Sequence, residues 1–178
     1  MEDSSLERLR VLLLGEGGLM ASLVDESSPD GLPMSPVVDS PAQVAASGPR
    51  VDGRSAEYEL LMEAIYEGYL LHYHVPRVVR PPEDDLGLLA GDRLYALGLA
   101  RLVKLGDIEG VAELADVITL SALAHGAAKP ELADAIWMAG ARAVGWGANP
   151  QHEHAKALVR AGSPEAMEAL LACAEAQG

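Results

Sequence analysis

The 178-residue sequence contains no phenylalanine, and only 4% of its residues are aromatic. Its apolar positions are filled mainly by leucine, alanine and valine, so we expect closely packed elements rather than a core built around large rings. Only one cysteine is present, Cys173. A lone cysteine excludes an internal disulfide and any thiolate-rich metal site, and it is typical of a protein in a reducing compartment.

Positive charge is scarce as well. The sequence has 13 lysines and arginines against 27 aspartates and glutamates, which gives a formal net charge of −14. This charge opposes attraction to nucleic acids and to anionic lipid surfaces. The first residues lack the basic start and apolar core of a signal peptide, and charges interrupt the most apolar stretch too often for a membrane span. We therefore predict a cytoplasmic protein with no nucleic-acid partner and no membrane span.

Apolar residues recur with a helical period along most of the chain, whereas no strand pattern or Gly-rich phosphate loop is present. In the stretch 85–105, two apolar stripes together cover most of the helix circumference, which predicts a central helix covered on nearly every side. Further helices are predicted over residues 55–74, 108–125 and 131–146, and from Asn149 and Ser163 onward. The predicted fold class is an all-α helical bundle.

Composition divides the chain into three predicted parts. Residues 1–25 form a short helical segment that starts at a Ser-x-x-Glu capping box, Ser4 to Glu7. Residues 26–53 are rich in proline, serine and glycine without a sustained period, which predicts a flexible linker or, alternatively, a docking peptide for another protein. Residues 54–178 form the helical domain.

The helical domain carries several short motifs in a particular order. Between residues 55 and 162 they are Tyr-Leu-Leu-His ending at His72, LLAGD at 88–92, Lys129, and the alanine-rich ARAVGWGANP. In this order they resemble the first half of the all-trans polyprenyl (isoprenoid) diphosphate synthases. The resemblance implies part of the isoprenoid synthase fold.

The sequence departs from that family at the positions that carry its chemistry. The degenerate motif positions are His72, Tyr73, His74, Arg77, Asp92 and Lys129. None of the three carboxylates of the family's first aspartate-rich motif is present, and such hard oxygen ligands are what Mg²⁺ requires. The second aspartate-rich motif is absent, and proline follows Lys129 in place of threonine. We therefore predict no catalytic activity, no cofactor and no metal site, and a structural role for Asp92.

Protein interaction is the function that remains. In the family that this chain resembles, the two equivalent helices form a twofold dimer interface, so the resemblance implies a homodimer or a heteromer through helices 85–105 and 108–125. The interface candidates are Leu94, Leu97, Leu99, Leu102, Leu114 and Val117. The expected function is a non-catalytic interaction or scaffold subunit. The alternatives are a regulatory small subunit of a heteromeric polyprenyl diphosphate synthase, or an isoprenoid- or lipid-binding carrier.

Two other candidate sites carry little weight. His152 and His154 are two residues apart on a predicted helix, so they point to different faces, which predicts solvated surface histidines rather than joint metal ligands. Cys173 has no histidine close in sequence and falls on the apolar stripe of the last predicted helix. It is expected to be a small core residue.

Overall fold

The computed structural model describes residues 4–24 and 40–175. Within these ranges the chain forms nine α-helices, one 3₁₀ turn at Pro49–Val51 and no strand, apart from a single bridge between Val24 and Val79. The helices are α1 Ser5–Glu16, α2 Gly18–Ser22, α3 Pro41–Ala46, α4 Ser55–Tyr73, α5 Asp84–Lys104, α6 Ile108–Gly126, α7 Pro130–Trp146, α8 Pro150–Arg160 and α9 Ala166–Glu175. The predicted all-α class is confirmed.

Polar side chains fix the starts of four of these helices, α1, α3, α6 and α8. The side chains of Ser4, Asp107 and Asn149 each accept a backbone N–H from the first turn of the helix that follows, at 3.2, 2.9 and 2.8 Å. These bonds satisfy amides that have no partner inside the helix. Pro130 and Pro150 stand in the first turn, where no backbone donor is needed.

The centre of the bundle is formed by α4 and α7. Helix α4 packs against α1, α3 and α5, and α7 packs against α3, α6 and α9. The three largest fully buried side chains lie on these two helices: Trp137, Tyr58 and Tyr69. Most of the chain's few aromatic rings are thus concentrated where its central helices meet.

The prediction that helix 85–105 is covered on nearly every side is wrong. Leu89 on α5 is 62% exposed and Val103 is 55% exposed, while Leu94 on the opposite side of the helix is fully buried. The sequence pattern shows that this helix has two apolar stripes, but it does not show whether other parts of the same chain cover both of them. In the structure, α5 packs mainly on α4 and leaves its other side in solvent.

The predicted linker does not extend to residue 53. Ser40 opens α3 with a capping box completed by Gln43, and Ala42 and Ala45 are buried against α4 and α7. For residues 40–53 the linker prediction is therefore wrong, because small residues allow this short segment to pack closely on the body. Residues 26–39 of the predicted linker lie outside the described residues.

The predicted N-terminal helix is present as α1, and it packs on the body. Leu9 and Leu13 are fully buried in a cluster that includes Ala64 of α4 and Leu94 of α5. Ser5 adds a hydrogen bond of 3.0 Å to the carboxylate of Glu63. Along residues 4–24 and 40–175, no helix has the length and apolarity that a membrane crossing requires.

Candidate functional site

The end of α4 brings several of the degenerate motif positions together. The Tyr69 hydroxyl lies 3.0 Å from Nε2 of His74 and 2.9 Å from Nε2 of His125, which comes from the last turn of α6. Tyr73 stacks on His125 with ring centroids 4.0 Å apart and parallel planes. Burial raises the pKa of Tyr69, and burial together with the nearby His74 lowers the pKa of His125. Both pKa shifts favour the neutral forms of the Tyr69 phenol and the His125 imidazole.

His72 and Asp92 lie beside this cluster, on facing turns of α4 and α5. The ring of His72 stacks on Tyr95 with centroids 5.3 Å apart. Its Nε2 lies 3.1 Å from Oδ1 of Asp92, which is within ion-pair distance, although the two groups are not aligned as a hydrogen bond. The side chain of Asp92 is 70% exposed. The expectation that Asp92 lies on an otherwise buried helix is therefore wrong.

Arg77, a further motif position, lies in the loop after α4, where two buried carboxylates hold it. Its guanidinium bonds Glu63 at 2.6 Å and Glu67 at 3.3 Å. The Glu67 carboxylate also accepts the backbone amides of Arg77, Val78 and Val79, at 2.7, 2.6 and 3.0 Å. The guanidinium lies over the ring of Tyr66, 5.2 Å from its centroid. Arg77 is thus committed to holding the loop on α4.

Lys129 is not part of this cluster. It is an exposed residue at the start of α7, and its backbone amide closes the α6–α7 turn on the carbonyl of Ala124 at 2.9 Å. None of the contacts found among the described residues joins it to His72 or its neighbours.

Four of the six interface candidates are covered by the chain itself: Leu94, Leu102, Leu114 and Val117, each at most 1% exposed. As interface candidates they are wrong, because a side chain already buried in its own core has no surface left for a partner. The other two are half-buried, with Leu97 against the α1 cluster and Leu99 against the main core.

Asp107, at the start of α6, is a buried polar site that sequence reasoning did not identify. Its carboxylate accepts hydrogen bonds from both terminal guanidinium nitrogens of Arg50, at 2.9 and 2.5 Å, and from the hydroxyl of Tyr58 at 2.7 Å. Burial alone would raise the pKa of Asp107. The bonds from Arg50, from the amide of Gly110 and from Tyr58 outweigh burial and lower that pKa to about 2.

A second polar network missed from sequence joins α6 to α8. The Glu113 carboxylate accepts hydrogen bonds from Nε2 of His152 at 2.6 Å and from Nζ of Lys156 at 2.9 Å. All three residues are buried. Lys156 also contacts Asp116 at 2.8 Å. The prediction that His152 is a surface residue is therefore wrong, whereas His154 is exposed as predicted. The helical period of a sequence cannot show that a lysine and a glutamate 43 residues apart form an ion pair that satisfies both buried charges.

These two networks border a cavity of about 420 Å³ between α6, α7 and α8. Arg50, Glu113 and Lys156 line it, and their charges are already paired with one another or with Asp107. Arg50, Glu113 and Lys156 are therefore engaged in contacts that join helices, and none of the three is a free reactive group. Cys173 of α9 is half-buried against the core, and burial raises the pKa of its thiol, in keeping with the expected packing role.

Comparison of the chain with protein-family models, with characterised proteins and with solved structures finds no match.

Proposed function

We propose that this protein is a non-catalytic interaction subunit that self-associates through the outer face of α5. The outer face comprises seven solvent-exposed residues between positions 89 and 104: Leu89, Asp92, Arg93, Ala96, Ala100, Val103 and Lys104. They follow one another at helical spacing along one side of the helix, opposite the buried Leu94 and Leu102. A side of a helix on which large apolar residues flank small ones suits close packing against a second helix.

The charges of the outer face complement those of a second copy. At about 100° per residue, Asp92 lies on one flank of the outer face and Arg93 on the other, so a parallel twofold pair of α5 helices places Asp92 beside Arg93 of the second copy. The same operation places Ala96 and Ala100 each next to its own copy, so the smallest side chains meet where the helices cross. This self-complementarity is the observation that carries the proposal.

The local charge also permits association in spite of the chain's overall charge. The outer face holds two basic side chains, Arg93 and Lys104, and one acidic side chain, Asp92. The net charge of −14 suggests that two copies repel each other. Two outer faces do not, because the local charge of each face is not negative. Apolar contact at each end is extended by exposed Leu88 and by Ile108, which is 64% exposed at the start of α6.

The non-catalytic part of the proposal is supported by the residues at the degenerate motif. Arg77 is held by Glu63 and Glu67, and His74 is held by Tyr69. These groups offer no run of free carboxylates for the Mg²⁺-bound diphosphate that prenyl transfer uses.

A charge-swap experiment tests the proposed interface. Asp92→Lys and Arg93→Asp should each weaken self-association, because each places like charges opposite one another. The double variant should restore it. Ala157→Glu, which adds a charge to an exposed position of α8, is the matched control and should leave association unchanged. If the double variant stays as weak as the single ones, Asp92 and Arg93 are not partners.

A further inference from the structure

The C-terminal ends of α4 and α6 meet at three side chains with donor atoms that converge. The hydroxyl oxygen of Tyr69 lies 3.0 Å from Nε2 of His74 and 2.9 Å from Nε2 of His125. In the metal-free protein these contacts are hydrogen bonds. One hydroxyl proton serves two imidazoles, so the phenol donates to one ring and accepts from the other.

The same distances fit coordination to a single ion. Metal–nitrogen and metal–oxygen bonds to a transition metal are about 2.0 to 2.1 Å long, so two donors at a right angle lie about 2.9 Å apart. Tyr69 oxygen has this separation from both imidazole nitrogens. A single ion in place of the phenolic proton therefore suits both of the Tyr69 separations.

The electrostatic surroundings favour a cation at this point. Tyr69 and His125 lie in the last turns of α4 and α6, and His74 caps α4. The C-terminal ends of two helices thus direct the partial negative charge of their carbonyl groups toward the cluster. Asp134, an exposed carboxylate of α7, acts on both Tyr69 and His125 through its charge.

The cluster is held in place on one side and open on the other. Tyr69 is 1% exposed, and its ring lies 5.1 Å from that of the buried Trp137. Tyr73 stacks on His125 and fixes the plane of that ring. His74 is exposed and His125 half-buried, so an ion can enter from solvent and keep water in its remaining positions.

We propose that Tyr69, His74 and His125 bind one divalent transition-metal ion through the phenolate oxygen and the two Nε2 atoms. Imidazole-rich sites of this kind suit Cu²⁺ and Zn²⁺. On binding, the phenolic proton of Tyr69 passes to solvent and the oxygen bonds the metal. No three His, Cys, Asp or Glu side chains among the described residues form a metal-binding group. In this site the third ligand is a tyrosine, and the site departs from the sequence expectation of no metal.

Titration of the untagged full-length protein with Cu²⁺ tests the site. A Trp146→Phe background leaves Trp137 as the single indole, and bound Cu²⁺ should quench its fluorescence with a stoichiometry of one ion per chain. A visible absorption band from phenolate-to-copper charge transfer should appear with the same saturation. Zn²⁺ should compete for the site and raise the melting temperature without producing the band.

Three variants in that background and one control separate the site from surface binding. Tyr69→Phe keeps the ring and should abolish the absorption band, while His74→Ala and His125→Ala should each weaken binding about tenfold or more. His154→Ala removes an exposed histidine elsewhere and should change nothing. Far-UV circular dichroism checks that each variant is folded. A band that persists in Tyr69→Phe, binding that survives both histidine substitutions, or binding that is lost in His154→Ala overturns the proposal.

Discussion

The buried carboxylate of Glu67 holds Arg77 by two routes, accepting its backbone amide at 2.7 Å and facing its guanidinium Nε at 3.3 Å. A loop of irregular backbone is thereby attached to the most buried side of α4. Because the backbone donors of Val78 and Val79 depend on the same carboxylate, one side chain satisfies a group of amides that could not be buried without a partner.

Glu67→Gln should lower the free energy of unfolding by about 2 to 3 kcal/mol, since it removes the charge that faces Arg77 and weakens charge-assisted hydrogen bonds in a buried place. Glu57→Gln changes an exposed residue of the same helix and should cost no more than about 0.5 kcal/mol. Urea unfolding followed by circular dichroism measures both. Equal effects of the two variants would show that the Glu67 contacts do not stabilise the loop.

Acid should remove the stability that Asp107 contributes. Its pKa is about 2 in the folded protein against an ordinary value of 3.8, so its contribution is fully present above about pH 4 and is lost as the pH falls through 2. A shift of nearly two pH units corresponds to about 2.5 kcal/mol. The difference in unfolding free energy between wild type and Asp107→Asn should shrink by about 2 kcal/mol between about pH 5 and pH 2, and by the remainder at lower pH.

Glu109→Gln is the control for this pH dependence, because the Glu109 side chain is 87% exposed. Its difference from wild type should be small and nearly constant over the same range. A constant difference for Asp107→Asn would contradict the account of the Arg50 and Tyr58 contacts.

Lys156 and Arg160 are one turn apart on α8 and both bond Asp116, yet they differ in burial. The Lys156 side chain is 6% exposed and that of Arg160 is 45% exposed. Lys156→Met should destabilise the protein by about 3 kcal/mol because it leaves buried Glu113 without its cation. Arg160→Met should cost less than about 1 kcal/mol. Thermal or urea unfolding of the two variants compares them, and the reverse order would contradict the buried network.

Gly48 lies against α7, where a Cβ atom would stand 2.1 Å from the carbonyl oxygen of Gly145. Gly48→Ala should therefore destabilise the protein by about 1 to 3 kcal/mol, because backbone atoms must move apart. Gly15→Ala, in α1 with open space around the added carbon, should be neutral or slightly stabilising. If Gly48→Ala is also neutral, residues 40–53 do not pack on the body as described.

The helices were predictable from sequence because their starts and ends are local. Asp107, Pro130 and the Asn149-Pro150 pair act on the residues directly beside them, so the predicted boundaries agree with the structure to within about three residues. Helix α3 was missed because its six residues, the first of them a proline, are too few for a period to show.

The polar networks could not be predicted in the same way. Glu113 looks like a surface residue in the sequence, and its burial depends on His152 and Lys156, which come 39 and 43 residues later. The coverage of α5 was mispredicted for a related reason. The apolar spacing that includes Leu89 is the same whether its own chain or a second molecule covers that residue. The burial of a helix face is therefore a property of the assembled fold.

Sedimentation of the wild-type protein tests the central claim, self-association through α5, most directly. Over a micromolar concentration series the mass should approach twice the 18.7 kDa of one chain, and Ala96→Glu should sediment as a folded monomer. A wild-type mass of one chain that stays constant up to about 100 μM, a concentration at which even weak dimers assemble, would contradict the account.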